Sequence, residues 1–152
     1  FVLPYGVVYM AKRKKHILAL EPEESFEMIG ICSHHSDYRL VWGLNAKTEL
    51  HLTRCNLEYD ITNKKGEVTS THSMYEFIDE ENRLEYYMIK NKVKGQYLIP
   101  EKPSIDYFLF LCNNNVIEVN DLIAELKTVN SILGAYLFFP EEITSSENLV
   151  FN

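Results

Sequence analysis

Two short segments of the sequence hold the side chains best suited to acid–base or metal chemistry. In the first, YLIPEKPSIDYFLFL, the carboxyl groups of Glu101 and Asp106 lie beside two prolines and an apolar run. Two carboxyl groups in different environments can act as an acid and a base, because their pKa values are pushed apart. On an extended chain, however, a spacing of five residues separates two side chains by up to roughly 17 Å. The spacing therefore favours a structural role, in which both carboxylates accept hydrogen bonds from backbone amides.

The second segment, GICSHHSDYRLVWGLN, combines a thiol, two imidazoles and a carboxylate within a few residues. These residue types bind metals or activate a nucleophile. They are Cys32, His34, His35 and Asp37. Their spacing matches no known metal site, so we expect neither a metal nor a cofactor. We interpret the segment as the start of a helix capped by Ser33 or Ser36.

Tyr38 and Arg39 follow in the first turns of that predicted helix. A guanidinium group binds carboxylates and phosphates through paired hydrogen bonds, so Arg39 can hold an anionic ligand or form an ion pair inside the fold. The candidate internal partners are Asp37, Glu49 and Glu101. We favour the internal ion pair.

Composition describes a globular, acidic protein. The 152 residues carry a net charge of −7, and 46% of them are hydrophobic, which is enough to form a real core. The negative charge disfavours nucleic acid as a partner, because phosphate binding rests on lysines and arginines. The three cysteines are far apart and form no CxxC motif, which favours a reducing cytoplasm. The apolar N-terminus is much shorter than a membrane span, so no membrane association is expected.

Hydrophobic periodicity predicts an α+β fold: a single domain with a mostly antiparallel sheet of about five to six strands and two main helices packed on one face. The first helix is predicted over 36–48, with Leu40, Val41 and Leu44 buried and Trp42 at the edge. The second is predicted over 116–129, within a C-terminal strand–helix–strand unit. The predicted strands are 16–20, 51–61, 73–78, 84–90, 105–112 and 132–139, while 26–32 fits a helix or a strand and 63–72 a loop or a loose hairpin.

The same patterns predict the domain bounds. Residues 12–140 form the domain, residues 1–11 are an N-terminal extension, and residues 141–152 are a tail. Met10 precedes a basic run, which suggests that translation begins there and that residues 1–9 are not native.

Both chemistry-bearing segments resemble one bacterial protein family, which is named after its IPExxxVDY signature. The matching residues of the first segment are Ile99, Pro100, Glu101, Ile105, Asp106 and Tyr107, with isoleucine in place of the valine. Those of the second segment are Ser33, His34, Asp37, Tyr38 and Arg39. The resemblance covers most of residues 12–139 and implies a small cytoplasmic bacterial protein. Because the family has no assigned activity, the resemblance transfers no catalytic residue.

Three functions are compatible with these observations. The one we favour is a non-catalytic binding or regulatory module, whose partner is a protein or a second copy of the chain. The second is an enzyme whose site combines segment 33–39 with the 101–106 turn, provided that the fold brings them into one cleft. The third is an RNA-binding protein, which requires exposed tyrosines and lysines on one sheet face.

Overall fold

The computed structural model describes residues 26–143 and Leu149. The predicted strand 16–20 and the predicted extension 1–11 lie outside the described residues. Within the described part the chain forms strands, two helices and a short 3-10 turn. In chain order they are β1 (Phe26–Cys32), α1 (Asp37–Lys47), β2 (Thr53–Arg54), β3 (Tyr59–Thr62), β4 (Val68–His72), β5 (Met74–Asp79), β6 (Leu84–Lys90), β7 (Lys92–Val93), β8 (Gln96–Tyr97), β9 (Tyr107–Cys112), α2 (Val119–Leu126), β10 (Gly134–Phe138) and the 3-10 turn Pro140–Glu142.

Six of the strands form one sheet in the order β10-β1-β9-β6-β5-β2, in which every pair of neighbours is antiparallel. β9 lies inside this sheet, between β1 and β6, and all of its residues are buried. This placement explains the uninterrupted apolar run YFLFLC, because a central strand with both faces covered has no position for a solvated side chain. The predicted single α+β domain with a mostly antiparallel sheet is confirmed.

The two helices pack on one face of the sheet, as predicted. Leu40, Val41 and Leu44 of α1 are buried there, and Trp42 lies on the outer surface. The buried residues of α2 join the same cluster; they are Val119, Leu122, Ile123 and Leu126. No helix in the described part of the chain is both long and apolar enough to cross a membrane.

The opposite face is covered by loops and hairpins. Leu98, Ile99 and Ile105, which flank the proline-containing turn, pack there against the phenylalanines of β9. The β3–β4 hairpin contributes Tyr59 to the same cluster. The last residues to join it are Ile143 and Leu149, from the segment predicted as a tail.

The C-terminal strand–helix–strand unit has β1 inserted between its two strands. β9 and β10 both run antiparallel to β1, so they are parallel to each other and α2 connects them. α2 itself is shorter than the predicted 116–129. At its start, the side chain of Glu118 accepts a hydrogen bond from the Asn120 amide. At its end, i→i+3 bonds such as Val129 N–H to Leu126 C=O replace the helical pattern.

The predicted strand 51–61 is wrong, because the chain is extended only at 53–54 and again from residue 59. Asn45 of α1 accounts for the late start of β2, after Leu52. Its side chain accepts a hydrogen bond from Leu52 N–H (2.9 Å) and donates one to Leu52 C=O (3.0 Å). The helix thereby satisfies backbone groups that a continuous strand would pair with a neighbouring strand.

The 63–72 segment is a tight hairpin rather than a loop. The side chain of Asn63 accepts hydrogen bonds from the amides of Lys65 (2.9 Å) and Glu67 (3.0 Å), and Gly66 has a φ of 83°. Such a turn favours Asn and Gly, because Asn can bond its own backbone and Gly accepts positive φ without strain. The chain then continues as β4, paired with β3.

His72 at the end of β4 connects the hairpin to the main sheet. Its side chain is fully buried, with Nδ1 2.8 Å from the carbonyl oxygen of Lys90 in β6 and Nε2 2.7 Å from the hydroxyl of Ser70. A carbonyl oxygen only accepts, so Nδ1 carries the hydrogen of a neutral ring and Nε2 accepts from Ser70. Burial lowers the pKa of His72, an effect partly offset by the Lys90 carbonyl and by Asp60.

We expect the free energy of unfolding to fall as the pH drops below about 6.5, the ordinary pKa of histidine. In that range the unfolded chain binds a proton that the folded chain excludes, so His72 reduces stability by at most about 1.4 kcal/mol per pH unit. Urea unfolding between about pH 5 and 8 measures this slope. His72→Gln is the control, because glutamine keeps a donor and an acceptor but does not titrate. Equal pH slopes for the two proteins would contradict the expectation.

Candidate functional site

The two chemistry-bearing segments meet at one end of the sheet. The backbone N–H of Ser33, just after β1, donates a hydrogen bond to Oδ2 of Asp106, just before β9, at 2.8 Å across 73 residues of sequence. A hydrogen bond to an ionised carboxylate is stronger than one between neutral groups. Asp106 thus fixes the turn that leads into α1.

Tyr107 forms the second connection between the same segments. Its hydroxyl donates a 2.7 Å hydrogen bond to the backbone carbonyl of His35, and its ring is buried on the helix side of the sheet. Burial, together with the charges of Asp37 and Asp106, raises the pKa of Tyr107 to about 12. The hydroxyl therefore stays a donor at neutral pH. We call the two connections, Ser33–Asp106 and His35–Tyr107, the clasp.

Cys32 lies beside the clasp, but its surroundings do not activate it. Its thiol donates a 3.6 Å hydrogen bond to the carbonyl oxygen of Ser104. Partial burial raises the pKa of the Cys32 thiol, and the nearby Asp106 carboxylate raises it further. Because the thiolate is the nucleophilic form, this environment weakens Cys32 as a nucleophile.

The rest of the second segment is largely exposed. His34, His35 and Ser36 are on the surface, and Ser36 is the N-cap of α1 without a side-chain capping bond. The hydroxyl of Ser33 instead accepts the His35 amide at 3.1 Å. Across the described residues, no three or more His, Cys, Asp and Glu side chains gather where they could hold a metal ion.

The ion pair predicted for Arg39 is replaced by another. Asp37 lies 3.9 Å from Arg54 of β2, whose guanidinium also approaches Glu58 at 3.2 Å and lies 5.7 Å from the ring centre of Tyr75. Arg39 is exposed and, within the described part of the chain, takes part in no ion pair. β2 lies beside the first turn of α1, and this position brings Arg54 rather than Arg39 to the Asp37 carboxylate.

Asn91 organises the proline-containing turn and was missed from the sequence. It is fully buried between β6 and β7. Its side chain accepts from the Ile99 amide (2.9 Å) and donates to the carbonyls of Lys102 (3.0 Å) and Ile105 (2.8 Å). Its backbone forms two more hydrogen bonds. The Asn91 N–H donates to the Asp106 carbonyl at 2.9 Å, and the Asn91 carbonyl accepts from the Leu98 N–H at 2.7 Å.

The available sequence signal for Asn91 was indirect. Leu98, Ile99 and Ile105 are apolar residues that flank a turn, which indicates that the turn is folded inward. Buried backbone groups of an inward turn need partners, and a polar residue without an obvious surface role is a candidate. Asn91 lies between two lysines, so its surroundings resemble an ordinary exposed turn.

The enzyme hypothesis required the two segments to converge, and they do converge at the clasp. What converges, however, is one carboxylate bonded to a backbone amide, one phenol bonded to a carbonyl and a thiol whose pKa is raised. Glu101 is on the surface of the turn. The geometry therefore gives Asp106 and Tyr107 the role of connecting two segments by hydrogen bonds, rather than that of an acid–base pair.

The RNA hypothesis required exposed tyrosines and lysines on one sheet face. Four tyrosines of the main sheet are instead buried, and they are Tyr75, Tyr86, Tyr87 and Tyr107. Tyr38 and Tyr136 are exposed, but they belong to different elements, α1 and β10. The exposed Tyr38 and Tyr136 therefore do not gather on one sheet face.

A comparison with protein-family models finds no match to this chain. A search of curated proteins finds no similar sequence. The resemblance to the IPExxxVDY family therefore stays a prediction based on the two motifs.

We predict that Asn91→Ala lowers the free energy of unfolding by about 3 kcal/mol or more. The substitution removes the acceptor of the Ile99 amide and the side-chain donor to the Ile105 carbonyl, and each buried group left unsatisfied costs on the order of 1–3 kcal/mol. The Lys102 carbonyl loses one of its two bonds and keeps the one from the Ile105 N–H. Urea unfolding of the two proteins measures the difference. Asn115→Ala is the matched control, because that asparagine is exposed and makes one long bond. A small effect at Asn91, similar to the control, would show that the amide does not organise the turn.

Asp106→Asn tests the clasp. We expect a loss of about 1 kcal/mol of stability, because the Ser33 amide exchanges an ionised acceptor for a neutral one. Asp106→Ala should cost about 2 kcal/mol, since the Ser33 amide then has no acceptor. Glu81→Gln, an exposed change of the same kind in the β5–β6 turn, is the control. Unfolding curves that coincide with wild type for both Asp106 variants would rule out a stabilising role.

Proposed function

We propose that this chain is a small cytoplasmic binding module without catalytic activity, and that it docks a protein partner on the outer surface of α1. The observation that carries the proposal is a pair of exposed aromatic residues: 66% of Tyr38 and 76% of Trp42 are accessible to solvent. Exposed tryptophan and tyrosine side chains are enriched among residues that dominate binding energy at protein interfaces. Three widely spaced cysteines without a CxxC motif support the reducing compartment, and the IPExxxVDY-like motifs support a bacterial source.

The two aromatic side chains lie on one face of the helix. They are four residues apart, which places neighbouring side chains on adjacent turns. The buried positions Leu40, Val41 and Leu44 hold the opposite face of α1 against the sheet. Tyr38 and Trp42 therefore point away from the core without any role in packing it.

α1 is also held at both ends. The clasp fixes the turn before the helix, and the side chain of Asn45 bonds both backbone groups of Leu52 near its end. A binding surface on a rigid element loses little conformational entropy on association. This arrangement supports a role for the aromatic pair in recognition.

Charged groups lie beside the first turn of α1, next to Tyr38. Arg54 contacts Asp37, the residue before Tyr38, and about half of the Arg54 side chain is exposed. The loop that follows Arg54 carries the exposed Leu57 and Glu58. An aromatic centre with a polar rim is the usual arrangement of a protein-binding surface.

Parallel affinity purification from the native host tests the proposal. Wild type and Tyr38→Ala/Trp42→Ala are tagged, expressed at native level and compared by quantitative mass spectrometry. We expect at least one protein that copurifies with wild type to be lost with the double variant, because removing two aromatic anchors costs several kcal/mol of binding energy by rough estimate. Val68→Ala, which truncates an exposed apolar residue of the β3–β4 hairpin, should retain that protein. Identical partner profiles for all three proteins would refute the aromatic surface.

Tryptophan fluorescence provides a direct measurement on the purified protein, because Trp42 is the single tryptophan of the chain. The exposed indole should emit at long wavelength and be quenched readily by acrylamide. Addition of the purified partner should shift the emission to shorter wavelength and protect the indole from quenching. An unchanged spectrum in a complex that demonstrably forms would place the interface elsewhere.

A further inference from the structure

We propose that two copies of this chain associate through the outer edge of β10, antiparallel and related by a twofold axis near Tyr136. This surface is separate from the aromatic pair on α1, so the inference does not depend on the function proposed above. It rests on the strand's position, on the spacing of its exposed apolar residues and on the charges at its two ends.

β10 is an edge strand of the sheet as described between residues 26 and 143. It pairs with β1 on one side, and no described strand lies on its other side. Its sequence, GAYLF, contains no proline and no charged residue. Proteins usually protect an exposed edge with lysine, proline or a bulge, because unpaired backbone groups otherwise bind another strand. β10 has none of these features.

The opposite edge of the sheet differs in this respect. β2 is only two residues long and includes Arg54, whose side chain is partly exposed. A short, charged edge is poorly suited to strand pairing. The contrast favours β10 as the edge that accepts another strand.

Three large apolar residues are exposed along and beside β10 at equal spacing. They are Leu133 (63% exposed), Tyr136 (50%) and Phe139 (50%). In an antiparallel pair centred on Tyr136, each Tyr136 faces the other, and each Leu133 faces the Phe139 of the second copy. Residues directly opposite one another point to the same face and contact each other. Residues three apart in a strand point to opposite faces, so the Tyr136–Tyr136 contact lies on one face of the pair and the two Leu133–Phe139 contacts lie on the other. This register is self-complementary, which an isologous interface requires.

Charge complementarity selects the antiparallel direction. The turn that follows β10 carries the exposed Glu141 and Glu142, whereas the connection from α2 into β10 carries Lys127 and no acid. Antiparallel pairing brings the acidic turn of one copy beside the basic connection of the other. The strand itself is uncharged, so two chains of net charge −7 can meet there without placing like charges in contact.

Sedimentation equilibrium of the full chain is the first test. We expect wild type to dimerise at micromolar to submillimolar concentration. Tyr136→Asp should weaken the dimer by about tenfold or more, because the twofold axis places the two new carboxylates opposite each other. Ile78→Asp is the matched control, since Ile78 is also a half-exposed strand residue but belongs to β5. A monomeric wild type, or a dimer that Tyr136→Asp leaves unchanged, overturns the proposal.

Disulfide cross-linking provides a second test of the dimer. It remains informative if Tyr136→Asp fails to fold. Tyr136→Cys should form an intermolecular disulfide under mild oxidation, because opposed residues of an antiparallel pair have Cβ atoms about 4.5–5.5 Å apart. Ile78→Cys should remain monomeric under the same conditions. A folded Tyr136→Cys protein that cross-links no more than Ile78→Cys overturns the proposal.

Charge exchange tests the direction of pairing. Glu141→Lys and Lys127→Glu should each weaken the dimer several-fold at low salt, and the double variant should regain much of the loss, because the opposed charges are again of opposite sign. Two losses that simply add in the double variant would overturn the antiparallel arrangement.

Discussion

Burial of β9 on both faces is the constraint that the rest of the structure satisfies. A strand with no solvated side chain needs two covers. The helices provide one cover, and the 98–105 segment with the β3–β4 hairpin provides the other. The second cover is irregular chain, so its buried backbone groups need partners that no neighbouring strand supplies. Asn91 supplies them from a single buried amide.

The burial of β9 also explains why the residues suited to acid–base chemistry have structural roles. β9 begins beside the turn between β1 and α1, and Asp106 and Tyr107 join the two segments there. Burial that makes these bonds effective also raises the pKa values of Tyr107 and of the neighbouring Cys32 thiol. Protonated groups engaged with backbone atoms stabilise the fold, whereas nucleophilic catalysis would need an ionised group facing substrate.

Asp106, Tyr107 and Asn91 bond to backbone groups inside the fold, whereas the groups best suited to recognition lie on the surface. α1 is anchored along one face and at both ends, which leaves Tyr38 and Trp42 on a rigid support. β10 presents an uncharged edge flanked by opposite charges. The two surfaces belong to different elements, so a second copy and a protein partner can occupy them independently.

The sequence by itself determined the elements whose signals are local. Helical spacing predicted α1 to within one residue at each end, and strand patterning predicted β5, β6 and β9 to within about two residues. Only the tertiary structure revealed Asn91, His72 and the clasp, and only it showed that Asn45 bonds the backbone of Leu52 just before β2. The physical reason is the range of the interactions. Periodicity records which face of an element is buried, whereas the partner of a buried polar group is set by the distance between segments that are far apart in the chain, such as Ser33 and Asp106.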